Sequence, residues 1–165
     1  MARGDNAGSV TLSVLDRLLD DDPKNSAEAP LTRAQGLRAL KAALRRDLEW
    51  LLNTRRTIEP AEDSARETAR SVYNYGFADL SSRSALSSRD HADLVRDMES
   101  TIAIFERRLK RAKVKLEPVG DNSQSLRFVI EGLMCLDPTP EPIRFDTTLE
   151  VGKGVYEVKG EDGAR

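Results

Sequence analysis

Residues 94–130, LVRDMESTIAIFERRLKRAKVKLEPVGDNSQSLRFVI, decide the fold, because the spacing of apolar residues changes within them. Leu94, Met98, Ile102, Phe105 and Leu109 recur at steps of four, four, three and four. Such steps place all five side chains on one face of a helix, so the spacing predicts an amphipathic helix of about four to five turns. Ser87 or Ser88 can cap its start. The period then becomes two. Val114 and Leu116 alternate with Lys113, Lys115 and Glu117, which predicts a strand, and Pro118-Val119-Gly120-Asp121-Asn122 turns the chain. Leu126, Phe128 and Ile130 alternate with Arg127 and Glu131, and Val129 is the apolar exception.

Downstream, the pattern continues as strands. Gly132 marks a bulge or a close contact. Leu133 to Leu136 extend the strand to Pro138, which makes Cys135 a buried, inert thiol. Pro140 and Pro142 bracket a tight connection. Ile143, Phe145, Thr147 and Leu149 alternate with Arg144, Asp146, Thr148 and Glu150. Val151-Gly152-Lys153-Gly154 turns into a last strand, Val155 to Val158.

Upstream, the pattern is helical. Leu12, Leu15, Leu18 and Leu19 predict a short helix with Ser13 or Thr11 as cap, ended by Asp20–Pro23. It is too short to persist without packing on the domain or on a partner. A polar linker, 23–31, follows. Thr32 then caps the clearest element, in which Leu37, Leu40, Leu44, Leu48 and Leu51 share one face. Arg38, Lys41, Arg45 and Arg46 take the rest of its perimeter, and Asn53, Arg55 and Arg56 close it, where cations suit a carboxyl end. Trp50 sits beside the stripe, as core or as contact. Glu62 to Val72 predicts a weak helix, and Tyr73-Asn74-Tyr75-Gly76-Phe77 a shaped loop. Helices first and an antiparallel sheet second define an α+β fold: amino-terminal helices packed on a small carboxy-terminal antiparallel sheet. The expected organisation is one domain over 10–160, with a disordered tail at 1–9 and a short tail at 161–165.

Composition excludes several classes. A 165-residue chain with 39% hydrophobic residues can build one core. The single cysteine makes no internal disulfide. No run of apolar residues reaches membrane-spanning length. The segment MARGDNAGSV has no apolar run behind its basic residue, so no signal peptide is expected, and the cytoplasm is the expected compartment. A net charge of -2 offers nucleic acid no overall attraction. That near-neutral total hides segregation. Residues 31–56 carry seven basic and two acidic side chains, whereas 117–165 carry five basic and ten acidic. Such asymmetry suits docking to complementary protein surfaces.

Catalytic and metal chemistry find little support. His91 and Cys135 lie far apart in sequence, which argues against a zinc site. Asp20-Asp21-Asp22 lacks calcium-loop spacing. Neither a phosphate-cradling glycine loop nor a nucleophile elbow occurs. No catalytic residue, cofactor site or metal site is assigned. Glu106, at the end of an apolar helix face, reads as a structural carboxylate paired with Arg107 or Arg108, because a buried charge must be paired. The basic stretches 33–56 and 107–115 give an alternative reading, a cytoplasmic nucleic-acid-binding or regulatory adaptor. They carry no nucleic-acid reader motif.

Several segments together resemble a known family. Asp47-Leu48-Glu49-Trp50-Leu51-Leu52-Asn53-Thr54-Arg55-Arg56 resembles the signature of the TssE family of type VI secretion baseplate subunits. That family is related to the lysozyme-named but non-catalytic wedge proteins of phage tail baseplates. Ser13-Val14-Leu15-Asp16-Arg17-Leu18 resembles its opening element. Ser71 to Gly76 with Asp79-Leu80 resembles its central loop, and Phe145-Asp146-Thr147 its closing strands. The family carries a Glu-Pro-Arg motif at the end of its long helix. Here those positions read Glu106, Arg107 and Arg108, so Arg107 departs from the proline and a fixed backbone angle is lost.

The resemblance implies a structural subunit and not an enzyme. It implies assembly roles for Asp47, Trp50, Asn53, Arg55, Arg56, Tyr75, Glu106, Arg108, Asp146 and Thr147. It implies partners as well: the wedge proteins TssF and TssG, TssK through the wedge, and the sheath proteins TssB and TssC. The expected location is the cytoplasmic side of a membrane-anchored secretion complex, with no membrane insertion and no nucleic acid bound. An open sheet edge can be extended by another chain, and the hairpin pattern over 143–158 makes that segment the expected edge toward the sheath.

Overall fold

The computed structural model describes residues 10–19, 24, 31–59, 61–62, 64–78, 88–117 and 125–160. The expected tails, the residues 79–87 before the third long element and the turn over 118–122 lie outside the described residues. The chain divides into two compact units, residues 1–44 and 45–165.

In the first unit, α1 spans Val14–Leu18. Ser13 caps it by accepting the Asp16 N–H at 3.1 Å. Val14, Leu15, Leu18 and Leu19 are all exposed, so the short helix carries an uncovered apolar face. The helix α2, Arg33–Asn53, begins in this unit and runs into the second. It starts with a capping box. Thr32 Oγ1 accepts the Gln35 N–H at 3.3 Å, and Gln35 Oε1 accepts the Thr32 N–H at 2.9 Å. Leu40, Leu44, Leu48 and Leu51 are buried, as the stripe predicts.

In the second unit, α3 (Arg66–Ala69) and a 3-10 turn (Val72–Asn74) stand where one weak helix is expected. The helix α4, Ser88–Phe105, precedes β1 (Leu109–Glu117), β2 (Ser125–Met134), β3 (Glu141–Glu150) and β4 (Val155–Gly160). The strands form an antiparallel meander in the order β1-β2-β3-β4. Helices pack on one face of this sheet. Leu94, Met98 and Ile102 of α4 are buried, as are Leu109, Val114, Phe128, Ile130, Met134, Phe145, Leu149, Tyr156 and Val158 on the strands.

Four expectations change. The periodic helix stops at Phe105, and Leu109 opens β1 instead. The Glu106 carboxylate captures the Arg108 N–H at 3.0 Å, a side-chain bond that competes with another helical turn. Leu109 stays buried because inward positions of helix and strand coincide there. Cys135 is exposed, because it follows Met134 at the end of β2 and its place in the alternation is on the outer face, with Val129, Glu131 and Leu133. Pro142 lies within β3, opposite Leu133. β4 pairs only with Phe145 to Glu150, so Pro142 leaves no ladder bond unmade on that side. Lastly, 143–158 is not one edge: β3 is internal, between β2 and β4.

The outer face explains Val129. It is buried although it points away from the helices, and its cross-strand neighbours are Lys115 and Asp146. Around it the charges pair among themselves. Lys115 reaches Glu131 at 2.7 Å, and Arg144 reaches Asp146 at 3.1 Å and Glu117 at 3.4 Å. Three acids of the segment 117–165, Glu117, Glu131 and Asp146, are thus met by local cations on this face.

Gly132 resolves as a close contact: a Cβ there would lie 2.7 Å from Leu109 Cδ1. Thr147 shows the opposite economy. It is fully buried on the helix-facing side, and its Oγ1 has no hydrogen-bond partner among the described residues. An unmade buried bond costs about 1–3 kcal/mol, so removing the hydroxyl while keeping the shape relieves it. Thr147→Val is expected to raise the unfolding free energy by about 1 kcal/mol, read from urea midpoints at constant m-value.

Candidate assembly site

The site lies where α4 ends and the strands begin. Glu106 follows the last residue of α4, and its N–H still donates to the Ile102 carbonyl at 2.9 Å. The helix therefore holds the carboxylate inward, and Glu106 is only 7% exposed. Arg108, two residues on, satisfies it three times. Its N–H donates to Oε1 at 3.0 Å, Nε to Oε1 at 2.9 Å and Nη2 to Oε2 at 2.6 Å. The paired side-chain bonds use the fork that a guanidinium presents and an ammonium lacks.

The Arg108 guanidinium also reaches α2. Its Nη2 donates to Asp47 Oδ2 at 2.6 Å. The other Asp47 oxygen accepts from Arg46, at 3.0 Å from Nε and 2.9 Å from Nη2. Arg46 in turn lies over the Trp50 ring, 5.0 Å from its centroid. An alternating chain of charge thus runs from exposed Trp50 through Arg46, Asp47 and Arg108 to buried Glu106. Its hydrogen bonds to Glu106, against an opposing cost of burial, raise the Arg108 pKa and keep it charged.

Tyr75 borders this cluster. Its ring meets Phe105 edge-on with centroids 5.4 Å apart. Asp47, Leu51, Tyr75, Phe105, Glu106, Arg107 and Arg108 line one open depression. Burial, then the nearby carboxylates of Asp47 and Glu106, push the Tyr75 phenol up from its ordinary value. A raised folded pKa favours the neutral form. Its stabilising contribution is complete below the unfolded value of about 10 and is lost as pH rises through the folded one. Tyr75→Phe is expected to remove that part of the alkaline slope, seen by comparing unfolding midpoints across that range.

The loop after Tyr75 is shaped by one residue. Gly76 has φ of 110°, and a Cβ there would sit 2.4 Å from the Thr54 carbonyl oxygen. That close approach seats Phe77 beside the end of α2. Its N–H donates to Thr54 at 2.7 Å, and its carbonyl accepts from Arg56 at 2.9 Å. Phe77 is buried, with its ring edge-on to Tyr156 at 5.8 Å. Arg55 and Arg56 serve here through their backbone, in a short parallel bridge, while their side chains are exposed.

Asn53 ends α2 and reads β4 directly. Its Nδ2 donates to the Tyr156 carbonyl and its Oδ1 accepts the Tyr156 N–H, both at 2.8 Å. Of the residues singled out from sequence, the structure gathers Asp47, Tyr75, Glu106 and Arg108. Trp50 joins them through Arg46. Asn53, Arg55 and Arg56 form a second junction at the end of α2. Asp146 sits on the outer sheet face with Arg144, and Thr147 lies inside the core. Sequence reading missed Arg46 and Phe105 as members. Arg46 had a signal in its position beside Asp47 and four residues before Trp50. Five cations of the basic stretches are spent on acids: Arg45 on Glu49, Arg46 on Asp47, Arg108 on Glu106, Lys113 on Glu99 and Lys115 on Glu131.

Arg107, between the two pivotal residues, is exposed, and its N–H has no acceptor among the described residues. Nothing at that N–H opposes a proline. Arg107→Pro is expected to raise stability by about 0.5–1 kcal/mol by restricting the unfolded chain, measured as a higher thermal midpoint.

Among the described residues, no group of three or more His, Cys, Asp or Glu is placed to hold a metal ion. None of the described helices is long and apolar enough to cross a membrane. Residues 38–139 match the family described as baseplate wedge protein gp25. The match covers more than half of the 165 residues, including Asp47, Tyr75, Glu106 and Arg108, and the chain belongs to this family. No curated protein matches the chain at a significant level.

Proposed function

We infer that the chain is a TssE-like structural subunit of a type VI secretion baseplate. It joins the wedge formed by TssF and TssG, meets TssK through that wedge, and helps start the TssB–TssC contractile sheath. It works in the cytoplasm, at the inner side of a membrane-anchored complex. Membership in the baseplate wedge family carries this reading. The geometry agrees with it. The Asp47–Arg108–Glu106 cluster spends its charges on one another and ties the end of α4 to α2. Such a cluster suits a rigid joint that holds surfaces in register, and the assembly roles of Trp50, Asn53, Tyr75 and Asp146 belong to those surfaces.

Co-expression of the tagged chain with TssF and TssG of the same organism tests this. Both wedge proteins are expected to elute with the chain, and Glu106→Ala to lower their yield. Retention of nucleic acid with a steep salt dependence, and of neither wedge protein, would favour the adaptor reading instead.

A further inference from the structure

Residues 107–115, RRLKRAKVK, carry six basic side chains and no acid. The structure sorts them into two kinds. Arg108 pairs with Glu106 at 2.6 Å, Lys113 with Glu99 at 3.3 Å and Lys115 with Glu131 at 2.7 Å. Arg107, Lys110 and Arg111 are exposed, and none of these three forms an ion pair among the described residues. The unspent cations are thus neighbours in the chain, where α4 gives way to β1.

Arg111 is held there under strain. Its φ is 53°, the left-handed region that disfavours any residue with a Cβ and suits glycine. It lies in the irregularity between Lys110 and Lys113, where the pairing of β1 with β2 shifts register. A bulge re-aims a side chain out of the regular alternation, and on an outer strand it also interrupts the edge against pairing. Glycine would sit at this position without strain. Arginine keeps a guanidinium there instead, and strain of this kind gathers at functional positions.

We propose that Arg107, Lys110 and Arg111 form a docking patch for an acidic segment of a partner protein, which they hold through their side chains and not by addition of a strand. Charge complementarity names the partner: exposed cations with no acid of their own attract a run of carboxylates, and a guanidinium takes a carboxylate side-on. Nucleic acid is the other polyanion. Its single strands are held by cations together with stacking aromatics, and residues 106–127 contain no aromatic. Exposed ion pairs are individually weak, so the patch steers and orients the partner more than it anchors it. Such a patch does not depend on the baseplate reading, since its cations are exposed whichever assembly the chain joins.

The isotope-labelled full chain is titrated at low salt with a capped glutamate decapeptide, and separately with a thymidine decanucleotide, and its amide shifts are followed by NMR. The shifts caused by the peptide are expected to centre on residues 107–113. Lys110→Glu/Arg111→Glu is expected to weaken the peptide at least about tenfold. Arg66→Glu/Arg70→Glu makes the same change of charge at two other exposed arginines, and is expected to leave the peptide within about twofold of wild type. Arg111→Gly separates patch from scaffold. It is expected to raise the thermal midpoint, by relieving the backbone, and yet to weaken the peptide several-fold. Should the first double variant not fold, Arg107→Glu/Lys110→Glu decides. Equal losses from the patch and control variants, wild-type binding by Arg111→Gly, or tighter binding of the decanucleotide at the same amides overturns the proposal.

Discussion

Arg108→Ala is expected to lower the unfolding free energy by about 3 kcal/mol, because it strands a buried carboxylate. Glu106 is 7% exposed, and its oxygens accept from Arg108 at 2.9 and 2.6 Å. Truncation leaves only the Arg108 N–H on that carboxylate. Asp47→Ala is expected to cost less, about 1 kcal/mol, since a part-exposed acid leaves its partner still bound to Glu106. Arg108→Lys should recover little, because a lysine cannot make the side-on pair and reach Asp47 together. The double variant Glu106→Leu/Arg108→Met should recover much of the loss, since a buried pair can often be replaced by apolar groups of similar volume. Equilibrium urea unfolding of the four variants checks this. A loss below about 1 kcal/mol for Arg108→Ala would mean that water reaches Glu106 readily.

Gly76→Ala is expected to be as damaging, at about 3–4 kcal/mol. Two costs add there. The backbone at φ of 110° disfavours any side chain, and the new Cβ would lie 2.4 Å from a backbone oxygen, which cannot move as a flexible side chain could. The loop would have to shift away from Thr54, losing the two Phe77 backbone bonds and loosening the ring contact with Tyr156. Gly154→Ala is the control. Its φ is 62°, yet a Cβ there meets nothing within 4 Å, so only the smaller backbone cost of about 1 kcal/mol applies. Comparable losses at both positions would show that the Thr54 approach contributes nothing.

The fold was legible where burial followed a clean period. The leucine stripe of α2 and the alternation in β2 and β3 each appear as written, because one face of each is buried. Legibility failed where two periods coincide. Leu109 fits a helix repeat after Phe105 and an inward strand position equally well. The choice falls to the Glu106–Arg108 hydrogen bonds, a contact that no periodicity encodes. Cys135 failed for a different reason, since its place in the alternation is on the outer face of the sheet, at the end of β2. The edge given to 143–158 narrows to its second strand, β4, because a hairpin pattern does not say which strand has another neighbour. β3 has β2 on its far side, and β4 is covered by Asn53 and Arg45.

The site was half legible. Glu106 invited a pairing partner because a buried charge requires one, and the structure selects Arg108 over Arg107. That Asp47, about sixty residues earlier, shares the same guanidinium is a tertiary fact. Local spacing carries no trace of it. Asn53 is similar. Its place at the end of a helix reads as a cap, and its amide does donate to the Glu49 carbonyl, but it also reaches across to Tyr156.

As a wedge component, the chain is expected to bind TssF and TssG directly. Native mass spectrometry of the chain co-purified with TssF and TssG tests it most directly. A complex heavier than TssF–TssG by whole multiples of 18.3 kDa is expected. A TssF–TssG mass without that increment, with the folded chain recovered alone, would contradict it.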